Sequence, residues 1–168
     1  TEQGAVLDRI ADALLACIRS GGRVYTFGNG GSAADAQHIA GELVGRFKSP
    51  RVALPAVALC ADSATLTAIA NDFGYEHVFA RQLEGLLNPL DAVWALSTSG
   101  ASPNVLAAAK VGIARGALVI GFTGQNGDAL AQLCTHVFRV PHASSDRIQE
   151  AHALAYHYIC ERVEADMM

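Results

Sequence analysis

The chain has 168 residues, 51% of them hydrophobic and 17% charged, which fits one domain with a sizeable buried core. Its net charge of −4 argues against a nucleic-acid-binding platform, and no apolar run reaches the length of a membrane span. The four cysteines are scattered without a C-x-x-C spacing, which favours free thiols in a reducing cytoplasm over a disulfide framework.

Apolar runs typical of buried strands alternate along the chain with helical patterns, which predicts a mostly parallel α/β sheet with helices on both faces. The predicted strands are 23–27, 56–59, 91–97, 117–122 and 136–140. The predicted helices are 5–19, 32–47, 63–70, 76–87, 103–115, 128–133 and 145–165. The last helix is apolar on more than one side, which fits burial in an oligomer or packing on the same chain.

The first polar turn, Gly-Asn-Gly-Gly-Ser at residues 28–32, follows the first predicted strand and opens a helix. On that helix His38 and Glu42 stand four residues apart, so they share one face. An imidazole and a carboxylate in this arrangement can hold a metal ion or act as an acid–base pair. An ordinary surface pair also fits the spacing, and the rest of an H-E-x-x-H zinc motif is absent.

Two further polar segments follow along the chain. The segment 71–74, Asn-Asp-Phe-Gly, ends a short predicted helix and by itself fits a polar helix terminus with glycine. The turn 97–102, Ser-Thr-Ser-Gly-Ala-Ser, lies between the third strand and the helix that Pro103 opens. Its hydroxyls and the backbone N–H groups of the helix start suit a phosphate dianion, but Ser102 also fits an ordinary N-cap.

The last predicted helix carries Asp146, Gln149, His152 and His157. An acidic residue near a helix start also stabilises the helix N-terminus, and each histidine fits a polar position on a partly exposed helix. Sites in such sheets form beyond the carboxyl ends of the strands, where the turns 28–32 and 97–102 and a shorter turn at Thr123 and Gly124 are expected to lie.

Taken together, the segments 28–42, 71–74, 97–102 and 146–157 resemble the sugar isomerase (SIS) domain family, and within it the phosphoheptose isomerase branch. The resemblance runs from about Leu7 to Val163. It implies a three-layer, flavodoxin-like fold with a five-stranded parallel sheet, a single SIS domain over residues 1–168, and a homotetramer with its sites at subunit interfaces. The family has more helix before Leu7, so part of an N-terminal helix is expected to be missing here.

The resemblance also implies one zinc ion per site, held by the residues that match His38, Glu42, Gln149 and His157. The phosphate of a small sugar phosphate is expected on Ser97, Thr98 and Ser99, with Ser102. The other positions that match substrate contacts or line the same site are Asn29, Gly30, Gly31, Ser32, Asn71, Asp72 and Asp146. Asp146 joins Glu42 and His157 as a candidate catalytic residue.

The reaction implied is aldose–ketose isomerisation of D-sedoheptulose 7-phosphate to D-glycero-D-manno-heptose 7-phosphate through an enediolate. Glu42 is the expected base and His157 the complementary acid–base group, with zinc as Lewis acid. A firmly coordinated carboxylate or imidazole is a weaker base, so the two roles compete. Gln149 and His157 stand eight residues apart, about 12 Å along a helix, which is a long distance for two ligands of one ion. The distance is no obstacle if the two ligands come from two different subunits.

Three alternatives stay open at the level of sequence. A non-catalytic sister branch of the family binds the bacterial replication initiator, but it lacks the residues matching Glu42 and His157 and has arginine where Ser99 stands here. Sugar-phosphate-sensing regulators usually attach this domain to a DNA-binding helical module, which this sequence lacks. Other SIS isomerases act on pentose, hexulose or amino-sugar phosphates.

Overall fold

The computed structural model describes residues 2–168; Thr1, which the predicted domain includes, lies outside the described residues. The strands are β1 (Val24–Gly28), β2 (Ala56–Ala58), β3 (Ala92–Ser97), β4 (Leu118–Gly124) and β5 (His136–Val140). The helices are α1 (Glu2–Arg19), α2 (Gly31–Val44), α3 (Ser63–Phe73), α4 (Ala80–Leu86), α5 (Pro103–Ala114), α6 (Asp128–Ala131) and α7 (Ser145–Asp166), and a 3₁₀-helix covers Tyr75–His77.

The five strands form one sheet in the order β2-β1-β3-β4-β5, and every neighbouring pair is parallel. This is the flavodoxin-like order, so the predicted fold class is confirmed. The order reverses between β1 and β3, where Gly28 stands beside Leu96 at the carboxyl ends of the two strands. The polar turns that follow these strands therefore lie next to each other, at the switch point where such sheets bind ligands.

Some helix boundaries differ from the prediction. The predicted helix 32–47 ends at Val44, because Gly45 leaves helical backbone angles while its N–H closes the last turn on the Gly41 carbonyl. The predicted helix 63–70 runs on to Phe73 and stops at Gly74, whose φ of 95° suits only glycine. The predicted helix 76–87 divides into the 3₁₀-helix and α4, because bonds of the i→i+3 type hold its first turn.

An apolar layer covers each face of the sheet. On one face Val24, Trp94 and Phe122 pack against α1, α2 and α7, and on the other Phe27 and Val93 pack against α3, α4 and α5. Side chains of β1 and β3 are buried on both faces, which explains their continuous apolar runs. Because α2 and α7 share one face and contact each other, residues from opposite ends of the chain meet between them.

All four cysteines are free thiols, as predicted. Burial raises the pKa of Cys17 to about 11 and the pKa values of Cys134 and Cys160 to about 12, so these thiols stay protonated at neutral pH. Within the described residues, no helix joins enough length to enough apolar character to cross a membrane.

Candidate active site

His38, Glu42 and His157 form a cluster between α2 and α7, which we call the His–Glu–His cluster. Their candidate ligand atoms all lie within 4.8 Å of one another. His38 Nε2 is 2.9 Å from Glu42 Oε1 and 3.5 Å from His157 Nε2. The first two residues meet because they are one helical turn apart on α2, and the packing of α7 against α2 adds the third.

The cluster is open to solvent on one side and closed on the other. The His38 side chain is 46% exposed, which leaves room for a ligand, whereas Glu42 is 18% exposed. The Phe47 ring stacks on His157 with centroids 5.5 Å apart, and the Tyr156 ring meets both imidazoles edge-on. Nitrogen and carboxylate donors converging in this way suit a divalent ion such as Zn²⁺.

Tyr156 and Asp35 extend this arrangement behind His38. The Tyr156 hydroxyl is 2.9 Å from His38 Nδ1 and 3.4 Å from Asp35 Oδ1. Burial raises the pKa of Tyr156 and that of Asp35. No sequence pattern predicted either residue, although Asp35 stands one helical turn before His38 and Tyr156 directly precedes His157.

Gln149, the fourth expected ligand, lies elsewhere in this chain. A Cβ atom built on Gly31 would come within 2.6 Å of the Gln149 amide, so the carboxamide covers the start of α2. Gly31 stands seven residues before His38, about 10 Å along the helix axis. The structure therefore brings three of the four expected ligands together and places the fourth at the turn 28–32.

The turn 97–102 presents its hydroxyls in one compact group. Ser97 Oγ lies 3.1 Å from Ser102 Oγ and 3.5 Å from Ser99 Oγ, and it accepts the N–H of Gly100. Ser102 occupies the N-cap position of α5, but its side chain makes no capping hydrogen bond. Its hydroxyl therefore faces the other serines, which favours anion binding over the capping alternative.

A cavity of about 480 Å³ lies between this turn and the turn 28–32. Its lining residues are Asn29, Tyr75, Glu76, Ser102, Pro103 and Asn104. The carboxamides of Asn29 and Asn104 exchange two hydrogen bonds of 2.8 and 2.9 Å, and the Tyr75 hydroxyl donates to Asn29 Oδ1. Asn29 was predicted from its turn, whereas Asn104 and Tyr75 belong to no local motif and were not predicted.

The remaining predicted residues belong to the turn 28–32 and to the end of α3. Gly30 has a φ of 55° and precedes α2, in whose first turn Ser32 is buried. Asn71 and Asp72 lie exposed in the last turn of α3, where the Asn71 amide donates to the Asp72 carboxylate.

Asp146 is exposed at the start of α7, bonded to the Ser144 hydroxyl, and it stands eleven residues before His157. That hydrogen bond, with the backbone N–H and the charge of Arg147, holds the pKa of Asp146 below its usual value. The carboxylate therefore stays ionised at neutral pH, which is the form that accepts a proton, and its catalytic role stays a prediction.

The turn 97–102 and the His–Glu–His cluster lie far apart within one chain. Thr98 Oγ1 is 3.1 Å from Ser145 Oγ, so the turn adjoins the start of α7. His157 stands twelve residues further along that helix, which is about 18 Å along the axis. This separation exceeds the length of an extended seven-carbon sugar phosphate.

Comparison with known proteins agrees with this architecture. The family model described as "SIS domain" matches residues 1–124. A protein named phosphoheptose isomerase from Burkholderia pseudomallei (strain 1710b) is 50% identical over 160 residues, covering 95% of this chain and 81% of that protein.

Two solved structures extend the likeness. The phosphoheptose isomerase of Neisseria gonorrhoeae superposes with a TM-score of 0.90 at 39% identity, and that of Francisella tularensis with 0.92 at 35%. Each match covers 96% of this chain and 86% of the other. The resemblance inferred from the sequence is thus confirmed: the chain belongs to the SIS domain family and, within it, to the phosphoheptose isomerases, a group of sugar-phosphate isomerases.

Proposed function

We propose that this chain converts D-sedoheptulose 7-phosphate to D-glycero-D-manno-heptose 7-phosphate. The observation that carries the proposal is the meeting of Glu42 and His157 beside His38, since this pairs a carboxylate with an imidazole at one open site. The alternative of a non-catalytic protein that binds the replication initiator has less support, because that branch lacks both residues.

The reaction needs one group to take a proton from C1 of the ketose and another to return a proton at C2, with an enediolate between. Glu42 takes the C1 proton. His157 exchanges protons with the reacting oxygens and completes the transfer at C2. Glu42 has two carboxylate oxygens, and only Oε1 is engaged by His38, so Oε2 is the atom we assign to the proton.

We further propose that His38, Glu42 and His157 hold one zinc ion, with Gln149 of a neighbouring subunit as fourth ligand. When bound, zinc supplies Lewis acidity that polarises the carbonyl and hydroxyl oxygens of the sugar. The phosphate binds the hydroxyls of Ser97, Thr98, Ser99 and Ser102. The sugar chain lies along Asn29, Gly30, Gly31 and Ser32, with Asn71, Asp72 and Asp146 at its edge.

A homotetramer with shared sites is part of the same proposal. The phosphate turn and the His–Glu–His cluster of one chain are about 18 Å apart along α7, so one substrate molecule would use the turn of one subunit and the cluster of another. A groove of about 490 Å³ between α1 and α7, lined in part by Leu7, Phe138 and Leu154, offers an apolar interface. Leu154 is 76% exposed in the single chain, which favours its burial by a second copy.

The free thiols support the cytoplasmic location predicted above.

The test is an isomerase assay with sedoheptulose 7-phosphate, with and without a chelator, on the wild type, Glu42→Gln and His157→Gln. We expect each substitution to lower kcat by about 100-fold or more, because it removes one proton-transfer group. Glu161→Gln is the matched control. Glu161 lies exposed on α7, where it pairs with Lys48 of the loop after α2, and this variant should keep full activity.

Each part of the proposal has its own contradicting result. Full activity in either active-site variant would remove that residue from proton transfer. A wild type that does not turn over this substrate would refute the assigned reaction. Activity that persists after complete metal removal would refute the role of zinc.

A further inference from the structure

The Tyr156 hydroxyl contacts the ring nitrogen of His38 that faces away from Glu42 and His157, and the same hydroxyl contacts the Asp35 carboxylate. We propose that they are positioning residues, which keep the proton of His38 on Nδ1 and leave Nε2 free as a metal ligand. The inference deepens the proposed function, because it rests on His38 being part of the metal site. Tyr156 is only 2% exposed, so its hydroxyl must find its partners within the protein.

The direction of the hydrogen bonds follows from what Asp35 requires. Asp35 Oδ2 is buried without a hydrogen-bond partner among the described residues, and Oδ1 has the Tyr156 hydroxyl at 3.4 Å. If the phenol donated its single proton to His38, Asp35 would lose that donor too, and neither of its side-chain oxygens would have a hydrogen-bond partner among the described residues. The phenol therefore donates to Asp35 and accepts the Nδ1–H of His38 across 2.9 Å.

This choice decides what the other ring nitrogen can do. With the proton on Nδ1, the lone pair of His38 Nε2 faces Glu42 Oε1 at 2.9 Å and His157 Nε2 at 3.5 Å. A nitrogen lone pair this close to a carboxylate oxygen and a second ring nitrogen is repelled unless a cation or a proton lies between them. The Asp35–Tyr156 pair thus favours cation binding at the His–Glu–His cluster, and it fixes the plane of the His38 imidazole.

The chain contains a matched pair that touches no imidazole. Two residues further along α7, the Tyr158 hydroxyl donates to Asp8 Oδ1 across 2.7 Å. Tyr158→Phe and Asp8→Asn therefore make the same chemical changes as Tyr156→Phe and Asp35→Asn, on the same helix, without contact to the cluster.

The experiment measures the zinc dissociation constant of the full-length protein by competition with a chromophoric chelator. We expect Tyr156→Phe and Asp35→Asn to weaken zinc binding by about 10- to 100-fold, and the two controls to stay within about twofold of the wild type. Circular dichroism checks that each variant is folded, and size-exclusion chromatography checks that it keeps the wild-type oligomeric state, since Tyr158 lines the groove between α1 and α7. Zinc affinity unchanged in both Tyr156→Phe and Asp35→Asn would overturn the proposal.

A second readout separates this inference from the metal proposal. In metal-free protein with ¹⁵N-labelled histidine, NMR should show His38 protonated on Nδ1 in the wild type. In Asp35→Asn the new amide can donate to the phenol oxygen, so the phenol turns its proton to His38 and the tautomer shifts to Nε2–H. If the wild type binds no zinc, the proposed metal site fails, yet this tautomer measurement still decides the positioning role. A wild-type His38 protonated on Nε2 alone would refute it.

Discussion

His152 has a different role from the histidine five residues later on the same helix. It is fully buried, 5.2 Å from the Phe122 ring and 6.2 Å from the Phe138 ring, measured between centroids. Its Nε2 lies 3.4 Å from the Thr123 carbonyl, and its Nδ1 has no partner among the described residues. Burial lowers the pKa of His152 to about 4, so the native state keeps this ring neutral.

This burial predicts a loss of stability in mild acid. Between pH 6.5, the ordinary pKa, and the native value of about 4, the unfolded chain binds a proton that the native chain does not, so stability falls as the pH falls. The free energy of unfolding of both proteins should fall between pH 7 and pH 5. The fall should be about 2 kcal/mol smaller in His152→Leu than in the wild type, because the variant lacks the buried imidazole. Urea unfolding at fixed protein concentration measures this, with pH 8 as the baseline. Equal slopes in both proteins would contradict it.

At the scale of elements, α7 holds the loop that follows α2. The Glu164 carboxylate accepts the N–H groups of Phe47, Lys48 and Ser49, and it pairs with Arg51 Nε at 3.3 Å. Arg51 in turn donates to the carbonyls of Glu42 and Leu43 at the end of α2. This buried pair therefore fixes both the Phe47 ring on His157 and the helix turn that carries Glu42.

Glu164→Gln should accordingly destabilise the fold by about 3 kcal/mol or more at pH 7, because it leaves the buried Arg51 charge without its counter-ion. Glu161 lies on the same helix as Glu164 and pairs with Lys48 at an exposed position, so Glu161→Gln should lower the free energy of unfolding by less than about 1 kcal/mol. Chemical denaturation of both variants measures the difference. Similar small losses would show that the buried pair is not an anchor.

The same substitution has a pH signature. Although burial disfavours its charge, the N–H donors and Arg51 hold the pKa of Glu164 below its usual value. The stabilisation by Glu164 is therefore complete above the pKa that this carboxyl has in the unfolded chain. It is lost as the pH falls through the lower pKa that the carboxyl has in the native state. The gap in unfolding free energy between wild type and Glu164→Gln should narrow as the pH falls below about 5, and a gap that stays constant would contradict this.

Local patterns predicted the parts of the site that lie close together in sequence. The pair His38 and Glu42 follows from helical spacing, and the turn 97–102 follows from its position after a buried strand. Asp35 and Tyr156 are 121 residues apart, and no periodicity of either helix indicates that α2 and α7 pack at that register. Glu164 and Arg51 were missed for the same reason, since only the packed helices reveal the pair.

At the scale of the whole molecule, the shared-site proposal predicts complementation between two inactive variants. Ser99→Arg blocks the phosphate turn, and His157→Gln disables the cluster. Because one substrate would use the turn of one subunit and the cluster of another, oligomers reassembled from an equal mixture should recover roughly a quarter of wild-type activity. Each variant unfolded and refolded alone is the control. Mixed oligomers that form but stay inactive would show that each chain builds its own site.

The two imidazoles of the cluster come from opposite ends of the chain, 119 residues apart. If the cluster holds a metal ion as proposed, that ion would act as a removable cross-link that closes the long loop between the two imidazoles. In the chain-entropy view such a closure contributes about 4 to 5 kcal/mol by restricting the unfolded chain. The ion would then hold the first and last parts of the molecule together as well as serve the chemistry, and a chelator would loosen the fold along with the site.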